Sequence, residues 1–233
     1  MKVAITGAKG VVGTALSKGL EGEYTIVPID LPEVDLRDEE QARHAIKGAD
    51  AVIHLAGIFG PAKLRGENWR SPFLNPDNLR MTRNMIRSGR DMNIKKLIIA
   101  SSIHVEDTHG WHGPDLLKPD KFYTNPVSAY GKSKRLQEKW LARHADEFSG
   151  GVAAIRLGGV TPNNLPLQQH SSDSVLKHEQ SVFLSHEDLV NAVSTILELP
   201  EVPGHFTAFY AVSNNPGRFH DTSNPLGWQP INH

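Results

Sequence analysis

Along most of the chain, short apolar runs alternate with stretches whose apolar residues recur every three or four positions. The runs fall at 3–5, 24–29, 51–55, 96–100 and 152–157. They are apolar at nearly every position instead of alternating with polar residues. That pattern predicts strands covered on both faces, as in a parallel sheet. Between them the spacing predicts helices. Val12, Ala15, Leu16 and Leu20 share one face after Gly10, and Leu79, Met81, Met85 and Ile86 mark another helix. Asp38 and Gln41 have capping-box spacing ahead of Ala42 and Ile46. Asn125-Pro126 predicts an N-cap and a first-position proline, opening a helix with Leu136, Trp140, Leu141 and Phe148. Ser185, with Asp188 three residues on, opens a helix carrying Leu189, Val193, Ile196 and Leu197. Such alternation predicts an α/β fold built on a doubly wound parallel sheet.

Three stretches break the pattern, at about 58–76, 105–124 and 161–185, rich in Gly, Pro, Asn and Trp or in Ser and His. In an open α/β sheet, long loops after strand ends are where ligands bind. Neither a repeat nor a linker divides the sequence. The expectation is a single domain over 1–233, with substrate-side loops and a small C-terminal substrate-binding extension.

Composition then narrows the function. The net charge of −1 gives no electrostatic case for nucleic acid or an anionic membrane surface. With no Cys, disulfides, thiolate metal sites and cysteine nucleophiles are excluded. No apolar run approaches the ~20 residues of a membrane span, so a cytoplasmic protein is expected. Of the 12 His, His104, His109 and His112 fall in one loop. Their spacing is irregular and no carboxylate accompanies them at a helical interval, so no metal site is expected. His186 reads as a local hydrogen-bonding residue, and Trp69 and Trp111 as side chains that pin their loops.

The first strand ends in Thr6-Gly7-Ala8-Lys9-Gly10-Val11-Val12-Gly13, a T-G-x-x-G-x-x-G turn opening a helix. Gly7 permits a tight turn, Gly10 lets backbone approach a pyrophosphate, and Gly13 lets helix pack closely on strand. The helix N-terminus supplies N–H donors for the phosphates. Asp30 closes the second strand, where an acidic residue accepts hydrogen bonds from the adenosine ribose hydroxyls. No Arg or Lys occurs at 31–36 to pair with a 2′-phosphate, so NAD is expected over NADP.

With these residues in view, the chain resembles the extended short-chain dehydrogenase/reductases, the NAD-dependent epimerase/dehydratase group. Asp35-Leu36 is similar to that family's adenine-contacting pair, and His54-Leu55-Ala56-Gly57 to the strand flanking the cofactor. Ala100-Ser101-Ser102 matches its serine strand, and Tyr130-Gly131-Lys132-Ser133-Lys134 its Y-x-x-x-K signature. The resemblance implies a Rossmann fold, with NAD held by Gly7, Gly10, Val11, Val12, Gly13, Asp30, Asp35, Leu36, Leu55, Ala56, Gly57, Tyr130 and Lys134. It also implies Ser102, in preference to Ser101, Tyr130 and Lys134 as catalytic residues, and a homodimer through the helices at 79–86 and 136–148. The chemistry agrees with the spacing. A phenol titrates near pH 10, and a lysine one helical turn on favours its phenolate. Tyr130 could then exchange a proton with the substrate while hydride moves to or from the nicotinamide.

Within that group the chain is similar to the uronate dehydrogenases in Ser101 to His104, Arg156 to Pro162, Phe183 to Leu189 and the closing Leu226-Gly227-Trp228-Gln229-Pro230. It departs from them at Phe59, Ile103 and Gly159, where the family has serine, asparagine and serine. It also lacks the arginine near 163–169 that grips a sugar carboxylate, a loss of roughly 1.5–3 kcal/mol of contact. The implied substrate pocket, with Ser102, Ile103, His104, Tyr130 and Gly159, is more apolar, walled by Phe59 and Ile103. Its available cations are Lys177, His170 and His178, or Lys63, Arg65 and Arg70 from the earlier loop. The expected function is hydride transfer between NAD and a sugar-like substrate, a uronic acid among the candidates. Two alternatives stand beside it. A nucleotide-sugar epimerase or dehydratase would need a larger C-terminal lobe, and an NAD sensor would not need Ser102, Tyr130 and Lys134 together.

Overall fold

The structure, a computed structural model, describes residues 1–57, 76–106, 115–119, 126 and 128–231. Six strands carry it: β1 (Lys2–Thr6), β2 (Thr25–Ile29), β3 (Ala51–His54), β4 (Lys96–Ser102), β5 (Val152–Leu157) and β6 (Phe206–Ala211). They form one parallel sheet in the order β2-β1-β3-β4-β5-β6. The helices are α1 (Val11–Leu20), α2 (Glu39–Ala45), α3 (Pro76–Asp91), α4 (Ala129–Arg143), α5 (Asp173–Ser181) and α6 (His186–Glu198).

The apolar runs are strands because both sheet faces are covered. Val3, Ile5, Ala51, Ile53 and Ile98 point to one side, against Leu16 and Leu20 of α1 and Leu189 and Val193 of α6. Ala4, Val52, Leu97 and Ile99 point to the other, against Ala42 of α2, Met81 and Met85 of α3 and Leu141 of α4. Each large side chain buried this way is worth about 1.5–3 kcal/mol of transfer free energy. Even the strand's lysine is used. Lys96 is buried, and its Nζ donates to the carbonyls of Ile196, Leu197 and Leu199 at 2.9, 2.8 and 2.5 Å, a cation at the C-terminus of α6.

Asp38 caps α2, accepting from the N–H groups of Glu40 and Gln41. Gln41 does not complete the box: its Oε1 takes the N–H of Asp35 at 3.0 Å. Ser185 caps α6 through the N–H of Asp188 at 3.1 Å. The helix read from Asn125-Pro126 begins later. Ser128 is its cap, accepting from Gly131 N–H at 3.0 Å, and Phe148 lies beyond its end, as the C-cap of the short 3₁₀ turn Ala145–Glu147. The third irregular stretch contains helix α5, and β6 is a strand that the apolar runs did not include.

After β6 the chain folds back over the sheet. Trp228 is buried with its ring 5.6 Å from Phe209. The Ile231 N–H donates to the buried carboxylate of Asp188 at 2.6 Å. Among the described residues, no helix is long and apolar enough to cross a membrane.

Candidate active site

The strand order reverses direction at β1, which has β2 on one side and β3 on the other. In open α/β sheets the crevice beyond the strand ends at such a point binds ligands. Here it is a groove of about 490 Å³, lined along one wall by Gly7, Gly10, Val11, Val12 and Gly13 and at one end by Asp30, Asp35 and Leu36. Leu55, Ala56 and Gly57 follow β3 into it, and Ala100, Ser101, Ser102, Tyr130, Lys134 and Gly158 close the other end. Every residue implied above as a cofactor contact lines this groove.

The groove fits a dinucleotide. No side chain caps α1 and no acidic residue stands in its first turn, so its N-terminal donors stay open to a phosphate. A Cβ on Gly13 would sit inside contact distance of the Gly7 carbonyl oxygen, so only glycine lets α1 start this close to the turn. At the far end, Asp30 Oδ2 accepts from Lys9 N–H at 2.7 Å and Oδ1 from Leu31 N–H at 2.8 Å. Those bonds fix the carboxylate at the groove's rim, each oxygen keeping a lone pair for a ribose hydroxyl.

Strand alternation separates the two serines of β4. Ser101 Oγ donates to Glu138 Oε1 at 2.5 Å, whereas Ser102 is hydrogen-bonded with Tyr130 and accepts from His104 N–H at 3.2 Å. Tyr130 and Lys134 lie one turn apart on α4, with the Lys134 Nζ 5.8 Å from the ring centre. That ammonium donates to the Ala100 carbonyl at 2.6 Å. Burial pushes the Tyr130 phenol up, and the Ser102 hydrogen bond opposes it. Burial also pulls Lys134 down to about 8, against the attraction of Glu138. Position 131 must be glycine for this approach, since a Cβ there would strike the carbonyl oxygen of His104.

Behind these groups is a buried charge network that the sequence reading passed over. Glu138 lies a further turn along the face of Tyr130 and Lys134. It accepts from Arg156 Nε and Nη2, both at 3.0 Å, and from Arg135 Nη1 at 3.2 Å. Arg156 Nη1 donates to the Pro119 carbonyl at 3.0 Å, which ties the second loop to the site. Glu106, also beside Arg156, is pushed up to about 7 by burial, the guanidinium opposing. The only sequence signal was the i, i+4, i+8 spacing of Tyr130, Lys134 and Glu138.

The remaining implied substrate contacts divide. His104 stands edge-on to Tyr130, ring centres 6.1 Å apart. Ile103 does not wall the groove. Its side chain is buried in an apolar cluster with Leu117, Val182, Tyr210 and Val212, because the 3₁₀ turn after β4 directs it inward. Gly159 is held in a bridge to Phe183, and its neighbour Gly158 faces the groove. His186 bonds locally, its Nε2 to the Thr161 carbonyl at 2.8 Å. His178 and Lys177 fall on α5. The segment around Phe219 pairs with Leu117 and places Arg218, His178 and His104 near the buried ring of His220. Burial, reinforced by the neighbouring His178, Arg218 and His104, holds His220 down to about 3. Arg218 stands near His220 and donates from Nη1 to Thr222 Oγ1 at 3.3 Å. Phe59, Lys63, Arg65, Trp69, Arg70, His109, Trp111 and His112 lie outside the described residues.

Comparison with known proteins agrees with this geometry. The profile of the NAD dependent epimerase/dehydratase family matches residues 3–174. An L-arabinose 1-dehydrogenase (NAD(P)(+)) of Haloferax volcanii is 26% identical, over 98% of this chain and 96% of its own. A uronate dehydrogenase of Pseudomonas putida is 25% identical, over 92% of this chain and 77% of its own. The crystal structure of a uronate dehydrogenase from Agrobacterium tumefaciens complexed with NAD superposes with a TM-score of 0.77. Its identity is 24%, over 99% of this chain and 84% of that one. The fold is therefore the Rossmann fold of those enzymes. With the family profile spanning most of the sequence and the groove built to its pattern, the chain belongs to the NAD-dependent epimerase/dehydratase family, and its cofactor is NAD.

Proposed function

We propose that the chain is a dehydrogenase of a free sugar, with Tyr130 as its acid–base residue. The observation that carries this reading is one meeting of groups. The Tyr130 phenol, hydrogen-bonded with Ser102 and one turn from a buried ammonium, closes the groove opposite Asp30.

Bound NAD supplies the hydride acceptor. Tyr130 takes the proton of the sugar hydroxyl as its carbon gives up hydride, leaving a carbonyl, which at the anomeric carbon is a lactone. Ser102 holds the reacting oxygen, its hydroxyl already directed at Tyr130. Lys134, when charged one turn away, would favour the phenolate that proton transfer needs. The same ammonium would hold the nicotinamide ribose, and Asp30 the adenosine ribose.

Two observations support a sugar without a nucleotide. Among the relatives that match over more than nine tenths of this chain are an arabinose, a glucose-6-phosphate and a uronate dehydrogenase, none of them named for a nucleotide sugar. On the substrate side, the His104 ring beside Tyr130 offers a hydrogen-bonding group, and Ile103, turned into the core, supplies no apolar wall. The test is NADH formation with arabinose, glucose, glucuronate, galacturonate and UDP-glucose. At least one free sugar or uronate should exceed UDP-glucose in kcat/KM by about tenfold or more, a difference of ~1.4 kcal/mol in transition-state binding. Activity on UDP-glucose alone would overturn the reading.

Pairing of two copies through α3 and α4 is part of the same proposal. Half-buried Leu79, Leu136 and Trp140 offer the apolar surface for it, and Arg87 and Arg90 nearby are paired with Glu39 and Asp91.

A further inference from the structure

Two cations stand at the adenosine end of the groove, although the segment 31–36 contains none. Lys9 comes from the glycine turn and Arg37 from just beyond Leu36. The backbone N–H of Lys9 holds Asp30, and its side chain runs past that carboxylate to the Leu31 carbonyl, 3.0 Å from Nζ. There the ammonium meets Glu33 Oε2 at 2.7 Å. Arg37 is likewise taken, doubly bonded to Asp35 with Nη2–Oδ2 at 2.6 Å and 3.5 Å from Asp77. Asp30, Glu33, Asp35 and Asp77 therefore outnumber Lys9 and Arg37 by two charges.

We infer that Glu33 is a cofactor-specificity residue: by occupying the ammonium of Lys9 beside Asp30, while Asp35 holds Arg37, it denies a 2′-phosphate a free cation. The inference rests on the reading of this groove as the NAD site. NAD brings only hydroxyls to Asp30 and does not need Lys9. A 2′-phosphate brings about two negative charges to a rim that is already net negative, where the nearest ammonium is spoken for. Removing the Glu33 charge makes the rim less negative and frees Lys9, 60% exposed and long enough to swing, to contact the phosphate. Glu33 lies outside the lining of the groove, so NAD contacts are unaffected by its loss.

The experiment is calorimetric titration of the wild type, Glu33→Gln and the double variant Lys9→Met/Glu33→Gln. The ligands are NAD, NADP and adenosine 2′,5′-bisphosphate. In Glu33→Gln, NADP and the bisphosphate should bind about tenfold more tightly than in the wild type, the value of one exposed charge-assisted contact to a dianion. NAD affinity should stay within about twofold, and the gain should shrink as salt screens it. The double variant should lose the gain, which assigns it to Lys9 and not to general charge removal. Unchanged NADP affinity in Glu33→Gln, with NAD still bound, would overturn the inference and leave the NAD site standing. A gain that survives Lys9→Met would also overturn it. Failure of the wild type to bind NAD would overturn the reading of the groove, and this inference with it.

Discussion

Replacing Tyr130 with phenylalanine is expected to lower kcat about a thousandfold, within the 10²–10⁴ range that positioned proton transfer contributes. The substitution removes one oxygen from a buried ring. That oxygen is bonded with Ser102, so the variant also leaves Ser102 without this partner. The ring itself keeps its place between His104 and Lys134. NAD affinity should therefore hold within about twofold, since the phenol meets the substrate and the phosphates meet the α1 end of the groove. Lys134→Ala should behave differently. It removes both the charge that favours phenolate and the anchor to Ala100, so kcat and NAD affinity should fall together. Single-turnover kinetics with cofactor titration separates the two patterns. If Tyr130→Phe kept more than about a tenth of the wild-type rate, the proton would have to move through another group.

The largest effect on stability is expected at Arg156. Its guanidinium is buried and bonded doubly to Glu138, which is itself fully buried. Removing one partner of such a pair leaves an uncompensated charge and costs about 3–5 kcal/mol. Glu138 would still have Arg135 and Ser101, which places Arg156→Met near the lower end. In a chain of this length that is a fall in Tm of roughly 10 °C. The double variant Arg156→Met/Glu138→Gln should recover part of the loss, because the Glu138 charge is then no longer stranded. Denaturant unfolding of the two single variants and the double measures this. A loss below about 1 kcal/mol in Arg156→Met would mean that water reaches Glu138.

These two residues differ in how visible they were. Tyr130 and Lys134 share one turn of one helix, so a spacing of four exposes their relation. Arg156 and Glu138 are 18 positions apart on a strand and a helix, and Lys9 and Glu33 are 24 apart on two turns. Only the packed sheet brings each pair together, which is why an absence of basic residues at 31–36 read as an absence of cations at the ribose. The same physics divides the elements. β1, β3, β4 and β5 are covered on both faces and therefore read as continuous apolar runs. β6 lies at the sheet's edge, with Thr207 in an aromatic stretch, and its signal was weaker. Helix α5 has only Val175 and Leu176 among polar neighbours, so it read as loop. Ile103 was assigned to the substrate pocket from its place beside Ser102, but a turn of 3₁₀ helix rotates its side chain into the core. The cofactor groove was legible because each of its walls begins at a strand end, where motif and geometry coincide.

The central claim is that hydride passes between a sugar carbon and the cofactor under the control of Tyr130. The most direct measurement follows an aldose or uronate deuterated at its anomeric carbon, incubated with the enzyme and NAD, with both products analysed by mass spectrometry. The label is expected to leave the sugar and to be recovered in the reduced cofactor in equal amount, with transfer about a thousandfold slower in Tyr130→Phe. Label that stays in the sugar across every free sugar and uronate that binds, while NAD is bound normally, would contradict that claim.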